Sequence, residues 1–204
     1  MTRVTAFPPI IGRQPRILVL GSLPGVASVR AGEYYAHPRN LFWPIMGALF
    51  GASPLLSYAQ RVHALEAAGV CVWDVLAEAT RAGSADAAIE PATARAHDIR
   101  GLLLRHRGLR IVAFNGVTAA QLYRRLVLPG LPPEQAESLR HVTLPSTSPA
   151  HASVDGAAKL RAWRQALKSS DSDPASGSAL RRRRTTPRPP ARTPQRRTSG
   201  KPPR

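Results

Sequence analysis

The amino-acid sequence predicts an α/β protein: a three-layer α/β/α sandwich around a central, mainly parallel four-stranded sheet. Three observations carry that reading. Short apolar runs of strand length recur along the chain, stretches with apolar residues at helical spacing separate them, and Gly or Pro marks the junctions. Strands alternating with helices pair in parallel, and the helices then cover both faces of the sheet.

Each element follows in order. Residues 1–15 read as an arm carrying Pro8, Pro9 and Pro15, and Arg16–Leu20 as a first strand apolar enough to be buried on both faces. A long loop then runs to Asn40. Leu41, Phe42, Ile45, Met46 and Leu49 have helical spacing, as does the stretch from Leu56 to Ala68, which Gly69 ends in the manner of a C-cap glycine. Val70–Leu76 reads as the second strand, and the small-residue stretch Ala77–Ala92 as a loop. A helix from His97 to Arg107, stopped by Gly108, leads to strand Leu109–Phe114. Helix Val117–Val127, a Pro-bearing loop at Pro129–Pro133, strand His141–Leu144 and helix Gly156–Leu167 complete the alternation.

Composition bounds the partners. The chain has 204 residues, with 29 Lys and Arg against 12 acids, a formal charge of +17. Such a balance favours polyanions, which gain affinity as counterions are released, so nucleic acid is the first expectation. Ten of the positive charges and no acid fall between Pro174 and Arg204, which leaves +7 on residues 1–173. From about Ser169 the sequence is Ser, Asp, Pro, Gly and Arg with almost nothing apolar, so residues 171–204 are expected to form a disordered basic tail behind a domain over residues 1–170. Its Arg181–Arg184 block suits DNA without sequence preference, or is a neutral appendage. The lone Cys71 excludes an internal disulfide and any cluster or zinc knuckle held by several cysteines. No apolar run approaches the roughly 18 residues of a membrane span, and Met1 to Gly12 lacks a leader pattern. A soluble cytoplasmic protein at the nucleoid, monomeric and with no metal or cofactor, is expected.

The chemistry concentrates where strands end. Gly21-Ser22-Leu23-Pro24-Gly25 follows the first strand, at the edge of an open α/β sheet where ligands bind. Glycines there let main-chain N–H groups turn toward a ligand, although alone the segment is also a tight turn. The loop continues as Tyr35-Ala36-His37-Pro38-Arg39-Asn40-Leu41-Phe42-Trp43. Tyr35 suits stacking on a base, or a half-buried core position, while Phe42 and Trp43 read as core. Asn40 is also a good N-cap for the helix that begins at Leu41. Asn115, beside Gly116, ends the third strand and faces the same crevice, or makes an Asn-Gly turn. Leu144-Pro145-Ser146-Thr147-Ser148-Pro149-Ala150-His151 ends the last strand with hydroxyls and main-chain N–H groups suited to phosphates. Arg39, Arg124 and Arg125 are either backbone contacts or solvated charges.

These residues resemble a known family. Gly21–Gly25 looks like the first motif of the uracil-DNA glycosylase superfamily, and Tyr35–Trp43 is similar to the aromatic-x-His-Pro-x-Asn-x-Phe-Trp run of its mismatch-specific uracil glycosylases and their deoxyinosine relatives. Branches with Asp or Asn at the third position of the first loop use it on a water, and this chain has Leu23. Branches with Glu at the second position add an iron–sulfur cluster, and here Ser22 stands without the cysteines. The deoxyinosine branch fits both departures.

The resemblance implies a site. Asn40 becomes the catalytic amide, and the main chain of Ser22 and Leu23, the Tyr35 ring and Asn115 bind the base. Leu144–His151 resembles the second motif, which binds phosphates and wedges the helix, so Arg39, Ser146, Thr147, Ser148, Pro149 and His151 are expected to contact DNA. Where relatives carry a wedging Leu this chain has Ser148 or Pro149, leaving Pro149 or His151 to fill the vacated stack. An amide has no useful pKa, so Asn40 orients water without taking its proton, and the expected mechanism uses no carboxylate: inward N–H groups stabilise the leaving base. Hypoxanthine and uracil both present N–H beside a carbonyl, a pair that one Asn reads in either base. The expected activity is a monofunctional DNA glycosylase removing hypoxanthine, or uracil, from DNA, since no lysine lies in the motifs to form a Schiff base. The rivals are a uracil-specific enzyme and a non-catalytic nucleic-acid binder using the same crevice.

Overall fold

The computed structural model describes residues 1–168. The tail expected over residues 171–204, with its boundary near 170, lies outside them. The strands are β1 Thr2–Thr5, β2 Ile17–Gly21, β3 Val70–Asp74, β4 Leu76–Arg81, β5 Arg95–Ala96, β6 Ile111–Asn115 and β7 Arg140–Leu144. The helices are α1 Val26–Ala31, α2 Phe42–Phe50, α3 Tyr58–Ala67, α4 Ile99–Arg105, α5 Val117–Leu126, α6 Pro133–Glu137 and α7 Gly156–Lys168.

The four expected strands form a parallel sheet in the order β3-β2-β6-β7, flanked by helices as the α/β/α reading requires. Every residue of β2 and β3 is buried, which is why both read as unbroken apolar runs rather than alternating ones. Leu18, Val19, Leu20, Val72, Val112 and Ala113 are wholly sequestered. Burial of a side chain the size of Val or Leu contributes about 1.5–3 kcal/mol, so this layer dominates the stability of the domain.

Topology places the crevice. From β2 the chain crosses to β3 on one side, and from β6 it crosses to β7 on the other, so connections diverge between β2 and β6. At such a switch point the loops after the two strands part and leave an opening at their carboxyl ends. Gly21 and Asn115 are the terminal residues of β2 and β6.

Five expectations are corrected. The arm contains β1, which pairs antiparallel with β4, and β4 pairs in turn with β5, making a second, three-stranded sheet. Ala77–Ala92 is therefore a strand followed by two single turns of 3-10 helix, Asp86–Ala88 and Pro91–Thr93. Val70–Leu76 is not one strand: the Val75 and Leu76 amides donate to the carbonyls of Gly21 and Ser22, and the chain turns there from one sheet into the other. The loops expected at residues 21–40 and 129–133 carry the short helix α1 and the start of α6.

Candidate active site

The crevice is a cavity of about 430 Å³, lined by the first loop, the end of β3, the turn at residues 84–87, the start of α5 and the loop after β7. Pockets for small molecules run from about 300 to 1,000 Å³, so one planar ring system and its sugar are within its capacity. Ser22, Leu23, Tyr35, Asn40, Asn115, Ser146, Thr147, Ser148, Pro149 and His151 all line it. Arg39 does not: it is exposed outside the lining, with its main-chain N–H donating to His37 Nδ1 at 3.1 Å.

The first loop is held by its own aromatic residues. Trp43 Nε1 donates to the Tyr34 carbonyl at 2.8 Å, the Tyr34 amide to Tyr58 Oη at 3.2 Å, and the Ala36 amide to Ser28 Oγ at 3.2 Å. Between these anchors Tyr35 adopts φ +55°, in the left-handed region where non-glycine residues are uncommon. That backbone lays one face of its ring on Phe42, with centroids 3.9 Å apart and planes 22° apart. Phe42 and Trp43 are core, as expected, at 0% and 3% exposure.

Asn40 lines the cavity but is not the N-cap the sequence suggested, since that position falls to Leu41, one residue on. Asn40 Oδ1 accepts from the Phe42 amide at 3.0 Å, which fixes the carboxamide at the start of α2 while the residue still lines the cavity. The following amide, of Leu41, donates to the Thr147 carbonyl at 3.0 Å and so joins the first loop to the last.

Asn115 and Thr147 make a reciprocal pair. Asn115 Nδ2 donates to Thr147 Oγ1, and the Thr147 amide donates to Asn115 Oδ1, each at 2.8 Å. Thr147 has no exposed surface, so its hydroxyl braces Asn115 where a phosphate contact was expected. Asn115 keeps one Nδ2 hydrogen and one Oδ1 lone pair beyond this pair. Behind the same loop, Trp163 Nε1 donates to the Pro145 carbonyl at 3.0 Å and the buried Lys159 ammonium to the His151 carbonyl at 2.6 Å. Helix α7 thus fixes the segment that carries Ser146, Ser148 and Pro149.

The cavity also carries acids, which the expected mechanism does not use. Asp74, at the end of β3, and Asp86, in the turn after β4, both line the cavity. Ser22 Oγ donates to Asp86 Oδ1 at 2.7 Å. Arg81, at 1% exposure, sends its guanidinium to the carbonyls of Leu23, Pro24 and Gly83 and stands 3.7 Å from Asp86. It is the strut under the first loop. Asp74 has 3% exposure, and its Oδ2 is buried without a hydrogen-bond partner among the described residues. Burial, with the Asp86 carboxylate adding to it and the Arg81 guanidinium opposing, pushes the Asp74 carboxyl up to about 7. Tyr35 Oη is likewise buried, with the Asn115 side chain beside it but no partner at full hydrogen-bond geometry among the described residues. Burial and then Asp74 push that phenol up, against the pull of Asn115.

Sequence reasoning missed Asp74, Arg81 and Asp86. For Asp74 a signal existed, because an acid closing a buried strand, Val70-Cys71-Val72-Trp73-Asp74, stands at the carboxyl edge where ligands bind. For Arg81 and Asp86 there was none, since their partners in the first loop lie 57 to 64 residues away.

Comparison with known proteins agrees with this geometry. The family model of the uracil DNA glycosylase superfamily matches residues 8–168. A protein named hypoxanthine DNA glycosylase from Methanosarcina barkeri (strain Fusaro / DSM 804) is 37% identical over 111 residues, 54% of this chain and 69% of that protein. One of the same name from Methanosarcina acetivorans is 33% identical over 116 residues, 56% of this chain and 72% of that one. Among solved structures, the solution NMR structure of a Methanosarcina acetivorans protein provisionally named uracil DNA glycosylase superposes with a TM-score of 0.64 at 28% identity, covering 80% of this chain and 98% of that one.

Proposed function

The chain belongs to the uracil DNA glycosylase superfamily, and we propose that within it the protein is a monofunctional glycosylase that takes hypoxanthine from deoxyinosine in DNA. That it is a DNA repair glycosylase of deaminated bases follows from the family and from relatives named for hypoxanthine. The observation that carries the finer reading is the meeting of Tyr35, Asn40 and Asn115, from three separate segments, around one cavity at the switch point of the sheet.

In this reading an extruded base enters edge first and lies along the free face of Tyr35, whose other face rests on Phe42. Base stacking on an aromatic side chain is worth about 1–3 kcal/mol, which offsets part of the cost of leaving the helix. The remaining donor and acceptor of Asn115 meet the N–H and carbonyl of the base, with Thr147 fixing which way the amide points. Main-chain N–H groups of Ser22 and Leu23 stabilise charge on the departing ring, and a single such donor is worth about 10²–10³ in rate. Asn40, its carboxamide fixed by the Phe42 amide, orients the water that reaches the sugar carbon. Ser146, Ser148, Pro149 and His151 form the rim toward the DNA backbone.

Two lysines fall within the described residues. Lys159 is spent on the His151 carbonyl behind the last loop, and Lys168 closes α7; neither lines the cavity. This supports hydrolysis over a Schiff-base route.

The test offers duplexes and single strands carrying hypoxanthine, uracil or an ordinary base and identifies the free base chromatographically, with borohydride trapping alongside. Release of hypoxanthine from DNA without a trapped adduct is expected. Release of uracil alone moves the assignment to a uracil-specific enzyme, and a trapped adduct overturns the monofunctional reading.

A further inference from the structure

Two polar atoms of the cavity wall, Asp74 Oδ2 and Tyr35 Oη, are buried without hydrogen-bond partners among the described residues. Gly21 and Asp74 are register partners on β2 and β3. A Cβ added at Gly21 would overlap Asp74 Oδ1 and lie 3.0 Å from Tyr35 Oη. The carboxyl and the phenol thus converge over the one residue of that strand end without a side chain. Buried polar groups are nearly always paired, and an unpaired set lining a cavity marks where a ligand's polar edge completes it.

We propose that Asp74 is the general acid of this cavity, delivering its carboxyl proton to a heteroatom of the departing base. The inference rests on the glycosylase reading above and adds a residue to it. Depth decides between the base and the sugar as its target: Asp74 is 3% exposed whereas Asn40 is only partly buried. A base inserted into the cavity brings its far edge to the deeper group and its sugar to the shallower one.

The step balances as follows. The bond from C1′ to the ring nitrogen breaks and its electron pair goes to the ring, while the Asp74 proton passes to a ring heteroatom, so a neutral base leaves. The water held by Asn40 adds its oxygen to C1′ and loses a proton to solvent. Asp74 takes a proton back from solvent once the base has gone.

The groups facing Asp74 set its charge. Tyr34 and Tyr35 come from the first loop, Arg81 from β4 and Asp86 from the turn that follows it. Arg81 is committed to three carbonyls and lies near Asp86, so among the described residues Asp74 has no ion-pair partner within 4 Å, and the Arg81 charge only partly offsets its burial. Burial first, and then Asp86, keep the proton on Asp74 up to about pH 7.

Single-turnover release of hypoxanthine by the full chain, measured from about pH 5.5 to about pH 9, tests this with wild type and Asp74→Asn. Wild type is expected to hold a plateau and to lose activity about tenfold per pH unit above about 7. Asp74→Asn keeps the shape and loses the proton, so its rate near pH 6 falls about 10²-fold and the limb above 7 disappears. An Asp74→Asn rate within about threefold of wild type, or a variant that keeps the limb, overturns the proposal. Wild type releasing neither hypoxanthine nor uracil overturns the glycosylase reading itself and this step with it. Should Asp74→Asn fail to fold, infrared difference spectra of wild type decide: a carboxylic C=O band titrating near pH 7 supports the assignment, and its absence removes it.

Discussion

The two ends of the parallel sheet treat buried polar groups in opposite ways. At the amino end, the amides of Arg16, Arg110 and Arg140 donate in relay to the carbonyls of Gly69, Arg16 and Arg110 at 2.8 to 2.9 Å, and the Gly12 amide donates to the buried Cys71 Sγ. At the carboxyl end, Asp74 Oδ2 and Tyr35 Oη are buried with no hydrogen-bond partner among the described residues, and Tyr35 is held at φ +55°. One end spends its polar groups on the fold, and the other holds them ready for a ligand. Stored strain and unpaired polarity are tolerated where the core supplies stability to spare.

Variants that move one end toward the other sharpen this contrast. The largest effect on base release is expected from Gly21→Ala, whose methyl group displaces both Asp74 and Tyr35. Single-turnover rates should fall at least about 10²-fold, because the groups meeting the base lose their geometry. A Gly21→Ala enzyme with an unchanged rate would show that the two unpaired atoms have no part in the chemistry.

Thr147→Val comes next. It frees Asn115 Nδ2 while keeping shape, so release should slow by about tenfold and stability fall by about 1–2 kcal/mol, read from urea unfolding. If stability falls and the rate does not, the Asn115 pair is a brace alone.

Gly12→Ala should leave the rate per folded molecule unchanged. Its Cβ would stand 2.6 Å from the Gly69 carbonyl carbon, which is backbone, so the amino end must shift and thermal unfolding should begin several degrees lower. A rate loss as large as that of Gly21→Ala erases the distinction between the two ends.

Stability against pH gives a smaller signal of the same kind. The Asp74 pKa is raised in the folded state to about 7, above an unfolded value of about 4. Its stabilisation is therefore complete below pH about 4 and is lost as pH rises through about 7. Relative to Asp74→Asn, wild type should lose melting temperature across that window, and parallel curves would mean that the carboxyl titrates normally.

What the sequence made legible follows the same division. Strands β2, β3 and β6 were readable because burial on both faces forces continuous apolar runs. Gly21 and the aromatics of the first loop were readable because stacking and the close approach of Asp74 and Tyr35 restrict which residues fit. Strand β4, Leu-Ala-Glu-Ala-Thr-Arg, escaped because Ala and Glu have little strand preference and its partner β1 lies more than seventy residues earlier. Arg81 escaped because a buried strut looks like any other of 29 basic residues until its carbonyl partners are located. Asn40 and Asn115 were placed at the crevice, where both line the cavity, yet the bond of Asn115 to Thr147 is a tertiary fact that no local pattern contains.

The central claim is that Asn40 acts on the glycosidic bond within a cavity that receives the damaged base. Single-turnover release of free hypoxanthine by wild type and Asn40→Ala, with binding to the same duplex measured in parallel, tests it most directly. The account predicts release by wild type, a loss of about 10³-fold in Asn40→Ala, and affinity within a few-fold of wild type. Equal rates in the two proteins, or tight binding with no release by either, would contradict it.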